Sequence, residues 1–176
     1  RILWVVNGVR FSDEYLSQSG MTPVIPLELQ IDDMLFRYGV RVNATLVQDL
    51  QCLPVPVDVS SDPQQPNWQP MPWTYAPLLL TSHASPITRN LMQVSSTMAS
   101  TIEFVGGEDG IYKEVLLATS SASRITGTPA QVDLGFDDAN PEEYRYAYVP
   151  VAASMEGVFP SLFAHLLPPE VIIMHS

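Results

Sequence analysis

Arg1-Ile-Leu-Trp-Val-Val-Asn-Gly8 is the stretch on which the fold class turns. Ile2 to Val6 is an unbroken apolar run that stops at an Asn-Gly turn signal. Such a run predicts a strand covered on both faces, because a half-exposed strand would alternate. Glu114-Val-Leu-Leu-Ala-Thr119 repeats the pattern. Buried strands together with amphipathic turns predict an α/β fold of low helix content over a pure sandwich. The 176 residues suffice for one hydrophobic core, so residues 1–176 are expected to form a single domain. The opening run lacks a signal peptide's cleavage pattern, and the chain does not start on Met. Both features suggest a fragment excised close to the start of a strand. No apolar run approaches the roughly 20 residues that span a bilayer, so the fragment itself is not expected to insert.

Working outward, residues 10–26 are polar and carry Gly20, Pro23 and Pro26, which predicts a long connection. A short helix follows. It has acids at its start (Asp32, Asp33), an apolar face (Met34, Leu35, Tyr38) and Gly39 in the left-handed position beyond its end. Asp33 and Arg37, four residues apart, are spaced to pair. Val40–Val42 reads as extended, with Asn43 capping a turn before Leu46-Val47. Seven prolines with Trp68, Trp73 and Tyr75 fall in residues 54–77. Prolines exclude this stretch from a sheet interior while the aromatics demand burial, so a packed irregular loop or sheet edge is expected. Beyond it, Leu78–Leu80 suggests a strand and Ser85–Leu91 a helical turn with Pro86 first. Strands are expected at Thr101–Val105, Glu114–Thr119, Ala130–Phe136 and Tyr146–Ala153, then a closing helix at Val158–Leu167 and a tail.

Apolar residues make up 46 % of the chain and charged ones 15 %, against disorder. Nineteen acids against eight bases leave a net charge of −11. That charge repels nucleic acid and disfavours anionic lipid, and it makes a cation or a basic protein face the easier partner. The single cysteine, Cys52, excludes an internal disulfide, and no Cys/His spacing suits zinc.

No phosphate loop, dinucleotide fingerprint, HExxH or GxSxG is present, so no cofactor or metal is expected. Ser120, Ser121 and Ser123 follow a buried strand, with His83 as a conceivable base for a serine hydrolase. Turn hydrogen bonding is the plainer account of those serines. Cys52 has no electropositive neighbour in sequence and reads as an inert thiol. Trp68, Trp73 and Tyr75 would either form a stacking platform for a sugar or peptide, as in a small-molecule or glycan binding module, or pin their loop to the core. Together, Trp68, Trp73, Tyr75, His83, Ser121 and Arg124 make the candidate ligand or partner surface.

Ile31-Asp-Asp-Met-Leu-Phe-Arg-Tyr-Gly-Val-Arg-Val-Asn43, followed by Leu46-Val-Gln-Asp-Leu-Gln51, is similar to the gliding-motility-associated GldG family of ABC-transporter auxiliary proteins. Met71–Pro77, Ser85–Leu91, Leu116–Ser121 with Ser123-Arg124, and Val149–Gly157 extend the likeness in the family's order. The resemblance implies a non-catalytic domain in the periplasm, with the parent protein anchored in the inner membrane beside an ABC permease and ATPase. It further implies a mixed, mostly parallel sheet like a truncated class I glutamine amidotransferase-like fold, without that enzyme's Gly-x-Cys-x-Gly elbow around Cys52. With upstream βα units missing, the edge at Ile2–Val6 would invite a weak homodimer.

Overall fold

A computed structural model describes residues 2–60, 62, 64–134 and 140–163. The first elements are β1 (Val9–Arg10), α1 (Asp13–Ser19) and β2 (Met21–Pro26), where the sequence suggested only a connection. Ser12 caps α1, its Oγ accepting from the Tyr15 amide at 3.3 Å. Asp13 and Glu14 sit where the helix dipole favours acids. Gly20 ends the helix at φ 71°, a conformation that glycine adopts without a Cβ penalty.

Next come α2 (Asp32–Arg37), β3 (Val40–Val42), β4 (Thr45–Asp49), β5 (Cys52–Asp58) and β6 (Trp68–Thr81). They are followed by β7 (Gln93–Ser95), β8 (Ile102–Phe104), β9 (Tyr112–Ala118), β10 (Ser123–Gly127) and β11 (Ala130–Asp133). A 3-10 turn at Pro141–Glu143 precedes β12 (Pro150–Glu156). Helix α2 stands where the sequence placed it, with Gly39 just past its end at φ 90°. A Cβ on Gly39 would come within 2.7 Å of the Gly106 carbonyl oxygen, so the site tolerates no side chain. Arg37 does not pair with Asp33. Its Nε reaches Glu108 Oε1 at 2.7 Å, tying α2 to the turn after β8.

Every pairing among the described strands is antiparallel, in the orders β12-β9-β6-β5 with β7 also on β6, β1-β2-β11, β10-β4 and β3-β8. The fold is therefore mostly antiparallel β, with one sheet curled into a half-barrel, and the expected α/β fold with a mostly parallel, amidotransferase-like sheet is wrong. Connection length gives the reason. Parallel neighbours need a crossover of a dozen or more residues, whereas the consecutive strands that pair, β1–β2, β5–β6 and β6–β7, are joined by ten, nine and eleven. The opening run fails for a different reason. Residues 2–7 form no strand, and Ile2, Leu3, Trp4 and Val5 are all exposed. The strand edge that was to support a weak dimer is thus not formed.

Val9, Leu16, Val24, Leu46, Trp73, Ala76, Met98 and Val132 form the core, so α1, β2, β4, β6 and β11 converge on it. At the far end, residues 158–163 are not helical, and the remainder of the expected closing helix lies outside the described residues. Phe136, the last residue of the expected strand at 130–136, also lies outside them.

The proline-rich stretch runs largely as two paired strands. Pro54 faces Pro72 and Pro56 faces Pro70, and each such pair lies between hydrogen-bonded ones, as the Val59 amide bonding Asn67 O at 3.0 Å shows. The missing proline N–H groups therefore point away from the ladder, where no partner strand needs them.

Candidate functional site

Strand β4 is apolar at Leu46-Val47 and then carries Gln48 and Asp49 into the interior. Asp49 is 0 % exposed, a position that a carboxylate occupies only when fully hydrogen-bonded. It accepts from the Ser120 amide at 2.7 Å, the Ser120 hydroxyl at 2.6 Å and the Gln51 amide at 2.8 Å. Two of these donors belong to the turn between β9 and β10, so Asp49 fixes that turn to β4.

The same turn is laced to residues 146–149. Thr119 Oγ1 accepts from the Val149 amide at 2.9 Å and lies 3.0 Å from Ser123 Oγ, which donates to Tyr146 O at 2.9 Å. Backbone bonds join Thr119 to Val149, Tyr148 to Ser120, and Ser123 to Tyr146 in both directions. Beneath, Gln48 Nε2 donates to Tyr75 Oη at 3.0 Å and Thr126 Oγ1 at 2.9 Å, while Tyr144 Oη donates to Gln48 Oε1 at 3.3 Å.

On the outside of this junction stand Tyr146 and Tyr148, both more than half exposed. Tyr148 holds φ 55°, a left-handed conformation that costs a bulky residue on the order of 1–3 kcal/mol. Its amide bond to Ser120 O and the buried network beside it sustain that geometry. Arg124 reaches Glu143 at 2.6 Å on the same side, and Ser121 is exposed beside it.

The sequence-derived candidates thus fall in separate places. Ser121 and Arg124 belong to the junction. Trp73 is buried, its Nε1 donating to Asp133 O at 3.0 Å, and lies 6.0 Å from Tyr75. Trp68 is exposed at the far end of β6, and His83 is exposed in the loop after it. Ser120 and Ser123 donate to Asp49 and to a carbonyl, and no described histidine bonds to either. Burial pushes the Cys52 thiol above its ordinary pKa, and the Asp49 charge adds to this; a backbone bond from Trp73 offsets only part. Such a thiol is a poor nucleophile at neutral pH. Among the described residues, no group of three His, Cys, Asp or Glu side chains could hold a metal ion.

Asp49, Tyr146 and Tyr148 were not singled out in the sequence. The signal for Asp49 was an acid inside the apolar Leu46-Val-Gln-Asp-Leu50.

Fold and junction together define a β-rich domain whose polar side chains are spent on holding two loops together and whose outer surface there is aromatic. The family model described as ABC-type uncharacterized transport system matches residues 1–174, and the chain belongs to that family of auxiliary components of ABC-type transport systems. No curated protein and no solved structure matches it. Among the described residues no helix is long and apolar enough to cross a membrane.

Proposed function

We propose that this is a non-catalytic, periplasmic domain of an inner-membrane-anchored auxiliary subunit, serving an ABC transporter of gliding motility or envelope transport through protein contacts. The observation carrying this reading is the inverted use of side chains at the junction. Asp49, Ser120 and Ser123, the groups with chemical potential, are consumed internally, while Tyr146 and Tyr148 are held outward on a rigid frame. Tyrosine on a preorganised loop is a frequent anchor of protein interfaces, since it contributes contact area at little entropic cost. The permease and the ATPase are the expected companions, with a basic face the best match to the −11 charge.

Purification of the membrane-bound parent protein tests this. Permease and ATPase subunits should accompany it, and Tyr146→Ala with Tyr148→Ala should weaken their recovery without lowering the thermal midpoint. Recovery of the parent alone would remove the transporter assignment. A turnover of ester, amide or glycoside substrates abolished by Ser121→Ala or His83→Ala would replace it with a hydrolase.

A further inference from the structure

The loop from Ser82 to Met92, between β6 and β7, is folded inside out. Ser85 and Thr88 are 1 % and 4 % exposed, whereas Ile87, Leu91 and Met92 are 63 %, 46 % and 90 % exposed. Water alone would favour the opposite arrangement, because apolar side chains gain by burial and small polar ones do not. The inversion is enforced by hydrogen bonds. Thr88 Oγ1 donates to Ser82 O at 2.7 Å, Thr81 Oγ1 to Leu91 O at 2.8 Å, and the Arg89 amide to Ser85 O at 2.9 Å. The three apolar side chains are therefore presented by an ordered loop.

Charge distribution sets this loop apart a second time. The chain has nineteen Asp and Glu residues, yet none falls between Asp62 and Glu103, and the basic residues of that interval are His83 and Arg89. Both lie in the inverted loop. The −11 charge that disfavours anionic surfaces thus resides elsewhere in the chain, and at physiological salt it is screened beyond roughly 8 Å. An apolar tip with one arginine and no acid matches a phospholipid surface, where apolar side chains enter the acyl boundary and a cation meets phosphate.

We propose that the 82–92 loop docks the domain onto a phospholipid surface, with Ile87, Leu91 and Met92 entering the interface and Arg89 meeting headgroup phosphate. The contact does not cross the bilayer, and its residues differ from the tyrosines proposed to meet protein partners. Ile2 to Val5 is a second exposed apolar stretch, so the test must separate the two.

Sedimentation of the 176-residue chain with vesicles of phosphatidylcholine and phosphatidylglycerol provides it. Wild type should co-sediment. Ile87→Asp with Met92→Asp should lower partitioning by roughly tenfold or more, at an unchanged thermal midpoint. Arg89→Gln should lower it less, and most on vesicles rich in phosphatidylglycerol. Leu3→Ser with Val5→Ser should leave it unaltered. Failure of wild type to bind, equal binding by the loop variants, or loss of binding in the Leu3/Val5 variant would each overturn the proposal. Loop variants that keep vesicle binding but no longer co-purify with transporter subunits would overturn it too, and would assign the loop to a protein groove.

Discussion

The Asp49 junction and the β5–β6 ribbon both hold irregular sequence in an ordered form, by opposite means. At the junction, Asp49, Thr119 and Ser123 are 0 % exposed and bond to one another's loops, so each polar group is indispensable to its partners. In the outer ribbon, prolines remove outward-facing donors and leave an edge that satisfies itself in water. A buried network is strong but intolerant, because deletion of one member strands the others. An edge built by subtraction is weak per residue and tolerant. The two regions should therefore respond to substitution on different scales.

The largest effect is expected at Asp49. Asp49→Ala strands the buried Ser120 amide and hydroxyl, frees the Gln51 amide, and should destabilise the chain by about 3–5 kcal/mol, read from urea denaturation. Asp49→Asn keeps an acceptor and should cost less. A loss under about 1 kcal/mol for the alanine variant would show that water replaces the carboxylate, and that the junction is not the rigid frame described.

Thr119→Val tests the same region at lower cost. The shape is kept while the Val149 amide and Ser123 hydroxyl lose a partner, so a loss of about 1–2 kcal/mol is expected. Additivity of this substitution with Asp49→Ala would mean two independent contacts; the shared turn predicts clear non-additivity.

The contrast also explains what could be read from the sequence. Helix α2 was legible because Asp32-Asp33, the Met34-Leu35-Tyr38 face and Gly39 all agree locally. Helix α1 carried equally local signals, Ser12 before Asp13-Glu14 and Gly20 after, but Pro23 and Pro26 beside them argued for a connection. Those prolines belong to β2. Strand direction was not legible from apolar runs: Tyr112–Ala118 and a parallel strand differ in their neighbours, not in their composition. Ile2–Val6 shows the limit most plainly, since an apolar run records a tendency to be covered and not what covers it. Of the candidate residues, Ser121 and Arg124 fall beside the junction, but the acid that fixes its turn lies 71 residues from Ser120 and only the fold joins them.

In the ribbon, Pro54→Ala with Pro72→Ala restores one outward N–H on each strand. Stability should change by less than about 1 kcal/mol, since the pair lies outside the hydrogen-bonded positions. The effect should appear in sedimentation, as association rising with protein concentration. A variant as monomeric as wild type would show that charge or twist, and not proline, guards this edge.

The smallest effect concerns the loop that closes the ribbon. Asp58 Oδ1 accepts from the Ser60 amide at 2.9 Å and the Asn67 amide at 2.9 Å, so one carboxylate gathers both sides of the turn. The backbone bond from Ser60, a side-chain bond from Ser60 and the backbone bond from Asn67 hold its pKa below the ordinary aspartate value, with little opposition from burial. The folded pKa is thus lower than the unfolded one. Linkage makes the stabilisation by this carboxylate complete above the unfolded value of about 3.9, and it is lost as pH falls through the lower folded value. Because the group is fully exposed, the consequence is local opening of the tip and not unfolding of the domain. Amide proton shifts of Ser60 and Asn67 followed by NMR should titrate together, below the ordinary aspartate range, and Asp58→Ala should abolish the transition. Titration of the two amides at ordinary aspartate pH would mean that the tip is not closed by Asp58, and that the ribbon depends on its proline edges and its packing at Val55 and Trp73 alone.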